Sequence, residues 1–114
     1  MERKTVLCLG DSLTNGRASV NYVEMLARRL DGFDFINAGV NKELSFNVLQ
    51  RVNTCIKSRP DVVTILVGTN DCNASLDNAY ARRAMKNMNL PRQPDPEWFQ
   101  RNLAELVGRL KAGT

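Results

Sequence analysis

Three short polar clusters each follow an apolar run: Gly10-Asp11-Ser12, Gly39-Val40-Asn41 and Gly68-Thr69-Asn70-Asp71. Their residue types suit acyl transfer. A serine on a strand-to-helix turn can present its hydroxyl outward, near the positive end of the helix. Gly39 offers a main-chain N–H with no side chain to block an approaching carbonyl, and Asn70 offers a side-chain amide. Two such donors beside a serine make an oxyanion hole, which stabilises the negative oxygen of a tetrahedral intermediate. The expected roles are Ser12 as nucleophile, Gly39 as main-chain donor and Asn70 as side-chain donor. Each cluster also has a purely structural reading. Asp and Ser after a strand are frequent helix caps, Gly is a common turn residue, and Gly-Thr-Asn-Asp suits an Asx turn. The catalytic reading rests on all three clusters occurring together, each at a strand end.

The elements that must position these clusters follow from hydrophobic periodicity. Thr5 to Leu9, Phe33 to Ala38 and Val62 to Val67 read as short buried strands. Val20, Val23, Ala27 and Leu30 recur at helical spacing, and Asp31-Gly32 ends that helix. Leu44, Val48, Leu49, Val52 and Ile56 mark one face of a second helix, with Ser45 near its start and Arg59-Pro60-Asp61 as its breaker. Asp71 to Asp95 is the least regular stretch, with a helix expected over Asp77 to Met88 and a loop through Leu90-Pro91-Arg92-Gln93-Pro94. Asp95-Pro96 is a strong helix start, and Phe99, Leu103, Leu106, Val107 and Leu110 give that last helix its apolar face.

Strands alternating with helices imply right-handed crossovers and a parallel sheet covered on both faces. All carboxyl ends of such a sheet lie on one side, where open α/β sheets bind ligands. The three clusters are therefore expected at one rim. Val62 to Val67 is apolar at every residue but Thr64 and reads as a central strand. A chain closing on the following helix would leave it as an open edge, an aggregation hazard. Further strands beyond Thr114 are the expectation, and residues 1–114 read as one domain lacking its C-terminal strands.

The 114 residues suit a single globular domain, 43% hydrophobic and 25% charged. The net charge of +4 comes from scattered Lys and Arg, as on a solvated face, without the basic run or aromatic stripe that nucleic acid requires. No apolar run spans a bilayer or serves as a signal peptide. The expected location is cytoplasmic. Cys8, Cys55 and Cys72 are odd in number and not at metal-ligand spacing, which argues against a disulfide framework or zinc site. There is no histidine.

The chain resembles the SGNH hydrolases, the GDSL esterase/lipase family. Gly10-Asp11-Ser12-Leu13-Thr14 is similar to the family's first block, Gly39 in "INAGVN" to its second, and Gly68-Thr69-Asn70-Asp71 to its third. "RPDVVTILVGTND" is especially similar, and "WFQRNLAELVGRL" resembles the helix after the third block. The resemblance implies an α/β, flavodoxin-like three-layer αβα fold with a parallel sheet. It implies Ser12 as nucleophile, and Gly39, Asn70 and the N–H of Ser12 as oxyanion donors. It also implies hydrolysis of esters, thioesters or acetylated sugars with no cofactor and no metal, the partner being a small-molecule, lipid or sugar ester. The family's last block, Asp-x-x-His, supplies the general base and has no counterpart here. A neutral serine needs such a base, so the chain alone is expected not to turn over esters efficiently. Asp11 and Asp71 are weak bases at neutral pH by their ordinary pKa of about 4.

The alternative is a non-catalytic relative or a small flavodoxin-like module that binds phosphate or nucleotide at the loop Gly10–Gly16. The absence of a loop lysine and of both phosphate-loop fingerprints counts against it. A phospho-acceptor module would use the strand-end acids and require a lysine on a later strand. The segment from Cys72 to Pro94 reads as either a lid or specificity region, or a tolerated insertion.

Overall fold

A computed structural model describes residues 2–113. Three parallel strands, β1 (Lys4–Gly10), β2 (Phe33–Gly39) and β3 (Val62–Leu66), form a sheet in the order β2-β1-β3. The helices are α1 (Ser12–Asn15), α2 (Tyr22–Arg29), α3 (Ser45–Gln50), α4 (Val52–Ile56), α5 (Thr69–Leu76), α6 (Asn78–Asn87) and α7 (Pro96–Gly113). Alternation along β1 sends its side chains to two cores. Leu7 and Leu9 pack with Val48, Leu49, Val52 and Cys55 of α3 and α4 and with Leu106 and Leu110 of α7. Val6 and Cys8 point the other way and pack with Val23 of α2, beside Phe33 and Phe35. The result is a three-layer αβα arrangement, as the resemblance implies.

Register puts Gly10 opposite both Gly39 and Leu66, so all three strands end together at one rim. β1 is the central strand. Among the described residues β3 is the open edge expected of a chain that closes on the following helix, and its Val62 and Leu66 are 44% and 46% exposed. On the face it shares with Val6 and Cys8, β3 presents Val62, Thr64 and Leu66, all exposed. Its other face, with Val63 and Ile65, joins the α7 core.

The irregular stretch after β3 is two helices with a core of their own. Leu44, Ala74, Ala81, Ala84, Leu90 and Trp98 form it, and Phe46 stacks on Trp98 with ring centroids 5.3 Å apart. The expected second helix is divided at Arg51, whose φ of −102° and ψ of 11° leave helical geometry. The described residues contain no helix long and apolar enough to cross a membrane. Cys8 and Cys55 are buried free thiols, and Cys72 is an exposed one.

Candidate active site

Ser12 begins α1, but it is not the cap. Asp11 is the N-cap, and its Oδ1 accepts from the Leu13 N–H at 3.0 Å. This relieves the Ser12 hydroxyl of the helix's demand for an acceptor. Ser12 Oγ instead accepts from the main-chain N–H of Lys42 at 3.1 Å. Asp11 is 2% exposed, while Ser12 keeps part of its surface open.

The N–H that reaches Ser12 therefore belongs to Lys42 and not to Gly39. The Gly39 N–H donates to Asn37 Oδ1 at 2.9 Å. Asn37 also donates to the Thr14 carbonyl at 2.7 Å, and Asn15 donates to the Gly39 carbonyl at 3.0 Å, so α1 is tied to the end of β2. A β-carbon on Gly39 would lie 2.2 Å from the Asn15 nitrogen. Glycine is required here by the close approach of α1.

Lys42 has φ of 66°, the left-handed region that costs most residues about 1–2 kcal/mol. That turn aims its N–H at Ser12. The adjacent residue brings in Asn70: its Nδ2 donates to the Glu43 carbonyl at 3.0 Å, and its Oδ1 accepts from Tyr80 OH at 2.6 Å. The amide is thereby fixed in orientation, with one of its two N–H bonds left for another acceptor. Ser12 and Asn70, on the helices that follow β1 and β3, converge on the neighbouring residues Lys42 and Glu43. No Asx turn forms at Asn70 or Asp71, because both side chains bond to the β2–α3 segment.

Two groups, the half-buried Arg51 and the buried Asp71, hold this loop. Arg51 pairs with Glu43 at 2.7 Å and donates to the carbonyls of Ala38 at 2.7 Å and Gly10 at 3.3 Å. One guanidinium thus joins the ends of β1 and β2 to the loop. Asp71, 3% exposed, accepts from the Ser45 N–H at 2.9 Å and the Ser45 hydroxyl at 2.7 Å. Burial pushes its carboxyl above the usual carboxylate range, opposed by the Ser45 hydrogen bonds and assisted slightly by Asp11. Neither acid is free to act as a base: Asp11 holds a cap and Asp71 holds Ser45.

Sequence reasoning missed Lys42, Arg51, Asn37 and Tyr80. A main-chain donor has no residue-type signature, so Lys42 was invisible. Arg51 carried one signal, a cation lying between Leu49 and Val52 in an otherwise apolar helical pattern. The described residues contain no cluster of three or more His, Cys, Asp or Glu able to hold a metal ion.

The chain matches the GDSL-like lipase/acylhydrolase family model over residues 8–113. No curated protein sequence matches it. Among solved structures it is similar to Axe2, an acetylxylan esterase from Geobacillus stearothermophilus, at 20% identity and a TM-score of 0.74, over 98% of this chain and 57% of that one. The esterase EstA from Pseudoalteromonas sp. is similar at 24% identity and 0.66, over 96% and 55%. AlinE4, an SGNH-hydrolase family esterase, is similar at 23% and 0.67, over 98% and 55%. At these identities the likeness establishes the fold, and the chain spans about half the length of the structures it matches.

Proposed function

We propose that this chain, which belongs to the GDSL-like lipase/acylhydrolase family, carries the nucleophile and oxyanion donors of a serine hydrolase of carboxylic esters. The observation that carries the reading is the hydrogen bond from Lys42 N–H to a Ser12 hydroxyl that Asp11 has freed from capping. Ser12 Oγ attacks the ester carbonyl and loses its proton to a base. The carbonyl oxygen becomes an anion received by the N–H of Lys42, the N–H of Ser12 and the open N–H of Asn70. The donor role expected of Gly39 passes to Lys42. Collapse of the intermediate expels the alcohol or thiol and leaves an acyl-serine, which water hydrolyses.

The 114 residues include no histidine, and both nearby carboxylates are committed. Proton removal from Ser12 is therefore the slow step in this chain, and turnover by it is poor. The residual contribution is the one an oxyanion hole supplies without a complete triad.

The test is mass spectrometry of the chain and of Ser12→Ala after exposure to an alkyl fluorophosphonate. Slow addition of one phosphonyl group at Ser12, absent in Ser12→Ala, is expected. Equal labelling of the two proteins would overturn the nucleophile assignment. Near-normal hydrolysis of p-nitrophenyl acetate that depends on Ser12 would overturn the claim of a missing base.

A further inference from the structure

We propose that the site selects esters bearing an anionic substituent, held by Lys42 and Arg83 in a cavity beside Ser12. The inference rests on the hydrolase reading and names its substrate class. The cavity, of about 140 Å³, is lined by Lys42, Tyr80, Arg83, Ala84, Asn87 and Met88. Two of these residues are bonded to the reaction centre: Lys42 through its N–H on Ser12 Oγ, and Tyr80 through its hydroxyl on Asn70. A substituent in the cavity is thus adjacent to an ester held at Ser12.

The charge in this cavity is positive and uncompensated. α6 carries Arg82, Arg83 and Lys86 and no acid from Asn78 to Asn87. Among the described residues, neither Lys42 nor Arg83 has an ion-pair partner. The neighbouring carboxylates are engaged elsewhere. Glu43 is held by Arg51, Asp71 by Ser45, and Asp77 by the N–H groups of Ala79 and Tyr80. The Arg83 guanidinium lies over the Tyr80 ring, 5.8 Å from its centroid. Stacking of this kind orients a guanidinium while leaving N–H groups at its edge for an acceptor. Ala84 and Met88 supply an apolar wall for a short carbon spacer. The volume falls below the roughly 300–1,000 Å³ of pockets for drug-sized ligands and matches a short substituent.

The test is a 1H–15N NMR titration of the 114-residue chain with monoethyl succinate and with ethyl levulinate, a neutral ester of similar shape. Saturable shifts at the amides of Lys42, Tyr80, Arg83 and Met88 are expected, with the acid monoester binding roughly tenfold tighter at low salt. The preference should fall with added salt and in Arg83→Gln, whose side chain is exposed and touches the fold through the Tyr80 ring. Equal affinity for the two esters, no measurable binding of the monoester, or a preference unchanged in Arg83→Gln would overturn the proposal. Fluorophosphonate labelling separates the two readings. Labelled Ser12 without an anion preference defeats this inference alone, and a preference without labelling defeats the hydrolase reading alone.

Discussion

The main-chain N–H of Lys42 donates to Ser12 Oγ at 3.1 Å, and Lys42 adopts a left-handed φ of 66° to do so. A residue's main-chain conformation, and not its side-chain chemistry, brings a donor to the candidate nucleophile. Glycine reaches this conformation without steric cost, whereas a β-branched residue meets its own backbone.

Lys42→Gly is therefore expected to keep the donor and leave stability unchanged or raised by up to about 1 kcal/mol. Lys42→Val is expected to be less stable than Lys42→Gly by about 1–2 kcal/mol or more. Urea denaturation of the two variants reads the difference directly. A valine variant as stable as the glycine variant would show that the turn does not require the left-handed region.

Gly39→Ala retains the N–H but adds a carbon 2.2 Å from the Asn15 nitrogen. The three nearest atoms, from Thr14 and Asn15, are all backbone, so none can swing aside. A loss of about 3 kcal/mol or more is expected, at the upper end of overpacking costs. Thermal unfolding checks it. An unperturbed midpoint would mean that α1 does not rest on the end of β2.

Arg51 is the point at which two strand ends and the site loop meet. Arg51→Leu leaves the Glu43 carboxylate, 11% exposed, without its partner and removes donors from Gly10 and Ala38. A loss of about 3–5 kcal/mol is expected, with slower labelling of Ser12. Lysine lacks the planar fork that spans three acceptors, so Arg51→Lys should restore only part of the stability. Full recovery in Arg51→Lys would reduce the role of Arg51 to charge alone.

The Asp71 carboxyl titrates above its unfolded value of 3.8 because burial disfavours its charged form. Between the unfolded and folded pKa the folded chain holds more proton than the unfolded chain. Stability contributed by this group is consequently present below the unfolded pKa and falls as pH rises through the folded one. Asp71→Asn lacks the term, so the stability of the native chain relative to Asp71→Asn should decline as pH rises from about 3 to 7. Asp71→Ala should be less stable throughout, by about 1–3 kcal/mol for each Ser45 donor left unmet. Denaturant midpoints measured across pH test both. A relative stability that increases with pH would reverse the sign of the Asp71 shift.

The fold class was legible because its signals are local. Short apolar runs closed by Gly10, Gly39 and Gly68, with helical periodicity between them, dictate parallel strands with crossovers, and parallel strands put their ends at one rim. The same logic brought Ser12 and Asn70 together, since each lies within a few residues of a strand end. A continuous apolar run such as β3 fits both a central strand and an edge whose face lies open, and among the described residues it pairs with β1 alone. Its position depends on pairing partners and not on its own residues. The segment after β3 was illegible because its alanines, Ala74, Ala81 and Ala84, form a core only when Leu44 and Trp98 arrive from distant positions.

Residue type and order alone determined the chemistry available: a serine, an amide donor, no histidine, and a parallel α/β frame to hold them. Tertiary structure alone decided how those groups are used. It made Asp11 the cap and so freed Ser12, gave the Gly39 N–H to Asn37, and supplied a donor from Lys42. A main-chain N–H is present at nearly every residue, so nothing in the order of side chains distinguishes the one that will face Ser12. That choice belongs to the path of the β2–α3 loop, which contacts from Arg51, Asn70 and Asp71 hold in place.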